Sequence, residues 1–188
     1  MNTSSISKYI EENLSPHRQK HIYGVCQTAM KLAERYGADI EKARVAALFH
    51  DIYKGKGNAQ INEKIQEYGL PKKYLDNANL AHGKIAAAIM QREYQIEDED
   101  LLNGVSFHTT GRAGMSLLEK IVFIADSIEP GRTYEGVAEL RALAEQDLDK
   151  ACLCSLERTV AFVQQQGLKV DEDSNKAIAW LKKECLNE

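Results

Sequence analysis

The chain has 188 residues, 28% of them charged and 44% apolar, with a formal net charge of −4. That length suits one domain with a real core, and the balance of charge and apolar content is that of an ordinary soluble globular protein. The acidic charge argues against a nucleic-acid-binding surface, no apolar run reaches the roughly 20 residues of a membrane span, and Met1-Asn2-Thr3-Ser4 lacks a charged-then-apolar signal pattern, so a cytoplasmic location is expected.

Nearly every segment reads as helix. Ser4 and Ser5 cap a short helix through Asn13. Ser15-Pro16 is a cap followed by proline at the first helical position. A long helix runs from there to about Tyr36, with Ile22, Val25, Cys26, Ala29, Leu32 and Ala33 on one face, and Gly37 ends it. Asp39 caps the next helix, which carries Ala43, Ala46, Ala47 and His50; Gly55 and Gly57 then break the chain. Asn58 caps a helix to Tyr68, stopped by Gly69-Leu70-Pro71, and a short helix follows around Lys73–Asn77. Ala81 to Tyr94 is rich in small residues (Ala86, Ala87, Ala88) and is expected to pack closely on a neighbour. Glu97-Asp98-Glu99-Asp100 is an acidic helix start, favourable to the helix dipole, for a helix over Leu101–Thr109. Met115 to Ile128 is strongly apolar and Pro130-Gly131 terminates it. Helices over roughly Val137–Glu145, Leu148–Gln166 and Glu172–Leu186 complete the chain. No alternating strand pattern, repeat or linker appears. The expectation is one all-α domain over residues 1–188, with a core of about 16–130 and C-terminal helices of about 137–187 packed on it.

Cys26, Cys152, Cys154 and Cys185 fall inside helical patterns. Cys152 and Cys154 stand on nearly opposite helix faces and there is no Cys-x-x-Cys, so reduced, partly buried thiols without a chelating role are expected.

The stretch Ala47-Leu48-Phe49-His50-Asp51-Ile52-Tyr53-Lys54 puts an imidazole and a carboxylate at the end of an apolar run, where a buried charge needs a cation or a partner. His21 lies beside the apolar face of the long helix, His82 at the start of the Ala-rich helix, and His108 at the end of Val105-Ser106-Phe107. Each alone is an ordinary boundary residue. Asp126 is more telling, because it interrupts Ile121-Val122-Phe123-Ile124-Ala125, where a carboxylate must be paired or bound to a cation. Six imidazoles and carboxylates spread in this way are what a two-metal site needs. His17, in the first turn after Pro16, reads as solvent-facing.

The order His21, His50-Asp51, His82, His108, Asp126 resembles the HD superfamily of metal-dependent phosphohydrolases. The resemblance implies an all-helical HD bundle with the ligands projecting from several helices into one pocket. It assigns His21, His50, Asp51 and Asp126 to one metal, and His82 and His108 to a second, with Asp51 bridging. His108-Thr109-Thr110-Gly111, Leu118 through Asp126, and Ile128-Glu129-Pro130-Gly131-Arg132 are similar to the YqeK family. Arg18-x-x-His21 and His50-Asp51-Ile52-Tyr53-Lys54 fit the same family. Its members are bacterial hydrolases that cleave diadenosine tetraphosphate symmetrically to two ADP, and the likeness runs from about Tyr9 to the C-terminal helices.

Imidazole plus carboxylate suits two transition-metal ions, iron foremost and manganese or zinc as alternatives, better than magnesium. Two cations about 3.5–4 Å apart can lower the pKa of a water between them and neutralise phosphate oxygens. Lys54, one turn after Asp51, can stabilise charge on the leaving oxygens. Arg132 can clamp a phosphate in bidentate fashion, and Arg18 can contact phosphate or fix a carboxylate. Thr109, Thr110 and Gly111 offer hydroxyl and amide donors to a nucleotide. The expected catalytic residues are therefore Asp51 and Lys54, and the expected substrate contacts are Arg18, Lys54, Thr109, Thr110, Gly111 and Arg132. The expected partner is a nucleotide, with no nucleic acid or membrane; a homodimer is left open. Three rivals remain: an HD nucleotidase acting on another nucleotide, an HD-fold di-iron oxygenase, and a non-catalytic nucleotide-binding module. The first needs only four of the six ligands, the second needs oxygen for turnover, and the third ordinarily lacks a ligand.

Overall fold

The structure, a computed structural model, describes residues 4–187; Met1, Asn2 and Thr3 of the N-terminal expectation lie outside the described residues. The described residues form α1 (Ser4–Asn13), α2 (Pro16–Tyr36), α3 (Ile40–Phe49), α4 (Asn58–Tyr68), a 3-10 turn (Lys72–Tyr74), α5 (Ala78–Glu93), α6 (Glu99–Ser106), α7 (Leu117–Ile128), α8 (Val137–Gln146), α9 (Leu148–Gln165) and α10 (Glu172–Asn187). Among the described residues there is no strand, as expected.

Local chemistry explains most of the boundaries. The Ser15 side chain accepts from the Arg18 backbone N–H, Pro16 opens α2, and Gly37 closes it at φ +71°. Asp39 caps α3 by accepting from Lys42 N–H. Several starts differ from the sequence reading. Gly57, not Asn58, is the cap of α4, and it makes no side-chain hydrogen bond. α5 begins at Ala78 because the Asn77 side chain accepts from Leu80 N–H, so His82 sits a full turn inside the helix. α6 ends at Ser106, three residues early; a turn closed by Gly111 N–H donating to Phe107 O at 2.8 Å carries His108 to Thr110. α7 opens with a reciprocal capping box between Ser116 and Glu119.

Helix α7 touches α2, α3, α6, α8 and α9, while α5 packs on α3, α4 and α6, and α10 lies against α9. The inward faces of α2 (Ile22, Val25, Ala29, Ala33) and α7 (Ile121, Val122, Ile124, Ala125) are fully buried. Each large apolar side chain removed from water in this way contributes about 1.5–3 kcal/mol, which fixes the helices that carry the polar residues below. The helix ends holding His50, Asp51 and His108 are thereby brought against α2, α5 and α7 at His21, His82 and Asp126.

Candidate metal centre

Tight turns after α3 aim the His-Asp pair. Ile52 N–H donates to Phe49 O at 3.2 Å and Lys54 N–H to Asp51 O at 3.0 Å, so the chain bends just past His50. His21, His50, Asp51, His82 and His108 are all buried. The Asp51 carboxylate lies between two groups of imidazoles. Its Oδ2 is 3.5 Å from His21 Nε2 and 3.7 Å from His50 Nε2; its Oδ1 is 3.1 Å from His82 Nε2 and 3.6 Å from His108 Nε2. Asp126 Oδ1 joins the first group, 3.1 Å from His21 Nε2 and 4.0 Å from His50 Nε2. The six residues expected from the sequence are therefore brought together in one cluster.

The rings are held so that they present lone pairs. His50 Nδ1 is 2.6 Å from Ala47 O, His82 Nδ1 is 3.2 Å from Ala78 O, and His108 Nδ1 is 2.7 Å from Val105 O. A carbonyl can only accept, so each ring carries its proton on Nδ1 and turns a bare Nε2 inward. Yet His82 Nε2 lies 3.0 Å from His108 Nε2, and His50 Nε2 lies 3.3 Å from His21 Nε2. The facing lone pairs of His82 and His108 call for a positive charge between them. Protons are a poor choice for two of these rings: burial lowers the pKa of His82, and brings that of His50 down to about 4. At His21 burial works in the same direction, but Asp126, Asp51 and Glu129 overcome it and raise the pKa to about 9. Burial pushes the Asp51 carboxyl up, but His50, His108, His21 and His82 hold it well below the usual range. The donor set fits metal cations, with His21, His50, Asp51 and Asp126 able to hold one and Asp51, His82 and His108 another.

The residues expected at the substrate have more specific duties than the sequence disclosed. Arg18 Nη1 donates to Asp51 Oδ2. Arg132 donates from Nη2 to Asp126 Oδ1 at 2.6 Å and from Nε to Asp126 O at 2.8 Å. Asp126, expected to be buried, is 23% exposed at the rim, where that guanidinium meets it. Lys54 is half-buried; desolvation lowers its pKa against the pull of Asp51 and Asp126. Thr109 Oγ1 lies 3.2 Å from His108 Nε2. Thr110 instead spends its hydroxyl on Gly111 O, and Gly111 packs near Met115, Leu156 and Ala177, so these two are tied to the C-terminal helices.

Glu129 was not singled out from the sequence. It is buried, its Oε1 lies 3.2 Å from His21 Nδ1, and its Oε2 accepts from Gly131 N–H at 2.6 Å. Arg141 fixes the same turn by donating to Ile128 O, Glu129 O and Arg132 O. A carboxylate at a helix C-terminus opposes the dipole, and that was the available signal. Gly24 accounts for the fit: a Cβ there would lie 2.7 Å from Glu129 Oε2. Glycine inside a helix costs about 1 kcal/mol relative to alanine, so its presence in α2 is explained by room for this carboxylate. Gly24→Ala is therefore expected to keep the fold while weakening metal binding at the His21 side by about 10–100-fold. Metal titration of the variant beside the parent checks this, and equal affinities would contradict it.

The HD domain family model matches residues 18–131. The chain belongs to the HD domain family. Relatives of high similarity include a protein of Bacillus subtilis (strain 168) named "Bis(5'-nucleosyl)-tetraphosphatase, symmetrical", 40% identical over 96% of this chain and 98% of its own length. A protein of the same name from Staphylococcus aureus (strain NCTC 8325 / PS 47) is 38% identical over 100% of this chain and 94% of its own. A crystal structure from Clostridium acetobutylicum, titled a "predicted HD superfamily hydrolase involved in NAD metabolism", superposes with a TM-score of 0.92 at 41% identity, covering 98% of both chains.

The cysteines of this HD chain stay out of the cluster. Cys26 and Cys152 are buried, Cys154 and Cys185 partly so, and none is in a disulfide among the described residues. Burial raises the Cys152 thiol far above its ordinary range. Cys152→Ser and Cys154→Ser are expected to leave turnover within about twofold of the parent. Loss of activity in a variant that still melts normally would contradict this.

Proposed function

We propose that the chain hydrolyses diadenosine tetraphosphate symmetrically to two ADP, at a binuclear site held by His21, His50, Asp51, His82, His108 and Asp126. The division of the Asp51 carboxylate carries this reading: one oxygen faces each pair of imidazoles. A single carboxylate placed in this way can serve two ions at once. The substrate follows from the relatives, which carry that activity in their names at 38–40% identity. Iron is the preferred metal, with manganese or zinc as alternatives, each of which accepts imidazole and carboxylate donors. When bound, such ions supply Lewis-acid charge to phosphate oxygens and acidify water.

The chain's own residues do the rest. His50, His82 and His108 are fixed by backbone carbonyls and His21 by Glu129, so the donor atoms need no rearrangement. Arg18 and Arg132 hold Asp51 and Asp126 in place and leave positive charge at the mouth for the polyphosphate. Lys54 acts as the catalytic cation: half-buried beside Asp51 and Asp126, its ammonium stabilises charge on the departing phosphate oxygen. Thr109 contacts the nucleotide beside His108, on a turn shaped by Thr110 and Gly111. In the same proposal residues 1–188 work as one domain in the cytoplasm on a nucleotide, without nucleic acid or membrane, and a homodimer is compatible with it. Among the described residues no helix is long and apolar enough to cross a membrane.

Hydrolysis of diadenosine tetraphosphate in heavy-oxygen water tests the reading. Two ADP, with one labelled oxygen shared between them, are expected. ATP plus AMP would contradict it, because the substrate would then lie one phosphate out of register.

A further inference from the structure

Past Asp126 and Arg132 the surface opens into a cleft of about 560 Å³ against α9, within the roughly 300–1,000 Å³ typical of small-molecule sites. Arg132, Tyr134, Ser155, Arg158, Thr159 and Phe162 line it, and no acidic side chain does. That is notable in a chain of net charge −4. Phe162 is 61% exposed and Tyr134 42%; no other aromatic side chain among the described residues is exposed. Two open rings beside two guanidiniums suit a flat ring that carries an anion.

The cleft is held in place and adjoins the metal cluster through Arg132, which pairs with Asp126. Tyr134 donates its hydroxyl to Ser127 O at 2.8 Å, one residue past Asp126. Ser127 Oγ is 3.0 Å from Ser155 Oγ, which joins α7 to α9. Arg158 Nη1 donates to Gly136 O at 2.8 Å, and Gly136 lacks the Cβ that would lie 2.8 Å from that nitrogen. The guanidinium therefore rests on the turn before α8 instead of moving freely in solvent. A second groove, between α5 and α6, is less suited to a base: the Lys84 ammonium stands 3.2 Å from the centroid of the Phe107 ring and covers its face.

We propose that this cleft binds one nucleoside end of the dinucleotide, its purine ring against Tyr134 and Phe162 and its adjacent phosphate on Arg158, while Arg132 leads the polyphosphate back to Asp126. The inference rests on the dinucleotide reading above. It adds a base-binding surface from α9, which lies beyond the matched HD segment of residues 18–131.

Calorimetric binding of a diadenosine tetraphosphate analogue, with a methylene group replacing the central bridging oxygen, to metal-loaded protein tests it. Phe162→Ala and Arg158→Gln are each expected to weaken binding about tenfold, the size of effect typical of base–aromatic stacking and of a charged phosphate contact. Phe162→Trp is expected to restore affinity, with its added indole fluorescence quenched on binding. Leu168→Ala, an equally exposed apolar position outside the cleft, is expected to bind like the parent. Affinities of Phe162→Ala and Arg158→Gln within about twofold of the parent, or no binding by the parent, would overturn the proposal. A loss confined to Arg158→Gln would overturn it too, because a bare anion site gives that pattern. Failure of the parent to cleave diadenosine tetraphosphate counts against the functional reading alone; the ratio of analogue affinities still decides the cleft.

Discussion

Asp51→Ala is expected to reduce turnover by about a thousandfold or more and to release metal from both halves of the cluster. No other residue has this reach. His21 and His50 face one oxygen of Asp51, and His82 and His108 the other. Removing the carboxylate leaves four imidazoles without the anion at their centre, and deprives Arg18 of its partner. The helices are expected to survive, because their burial rests on the apolar faces of α2 and α7, not on the polar cluster. Asp51→Asn separates charge from shape. It keeps the volume but offers an amide donor to one pair of imidazoles, so it too is expected to lose activity while melting near the parent temperature. Steady-state kinetics with thermal melts read both; a well-folded Asp51→Asn with parental turnover would contradict the role.

His82→Ala and His108→Ala are expected to cost about a hundredfold each and to remove metal from their own half only. Their Nε2 atoms lie 3.0 Å apart and share Asp51 Oδ1, whereas His21, His50 and Asp126 form the other group. Because the pair acts as a unit, the double variant should be little worse than either single one. Strict multiplication of the two losses, in rate measurements on metal-loaded protein, would show that the two histidines act separately.

The sequence disclosed the helices and the cluster's members because both leave local marks. Ser15-Pro16 and Gly37 frame α2 through their own backbone preferences, and Asp126 stands out as a carboxylate within an apolar run. Residues whose roles depend on distant neighbours were less legible. Glu129 looks like a loop acid after a helix; its burial against His21 is set by Gly24, on another helix. Arg132 looked like a phosphate ligand and Arg18 like a contact to phosphate or to a carboxylate; tertiary packing turns each guanidinium onto a carboxylate. Thr110 and Gly111 were expected to be open to a nucleotide; contacts with Leu156 and Ala177, from the C-terminal helices, draw the turn inward. The end of α6 fell three residues early for a similar reason, since His108 needs Val105 O as its partner.

The central claim is that one carboxylate serves two ions, and elemental analysis of parent and Asp51→Ala protein after saturation with iron or manganese tests it most directly. About two ions per chain are expected in the parent and close to none in the variant. One ion per chain in the saturated parent, or two retained by Asp51→Ala, would contradict it.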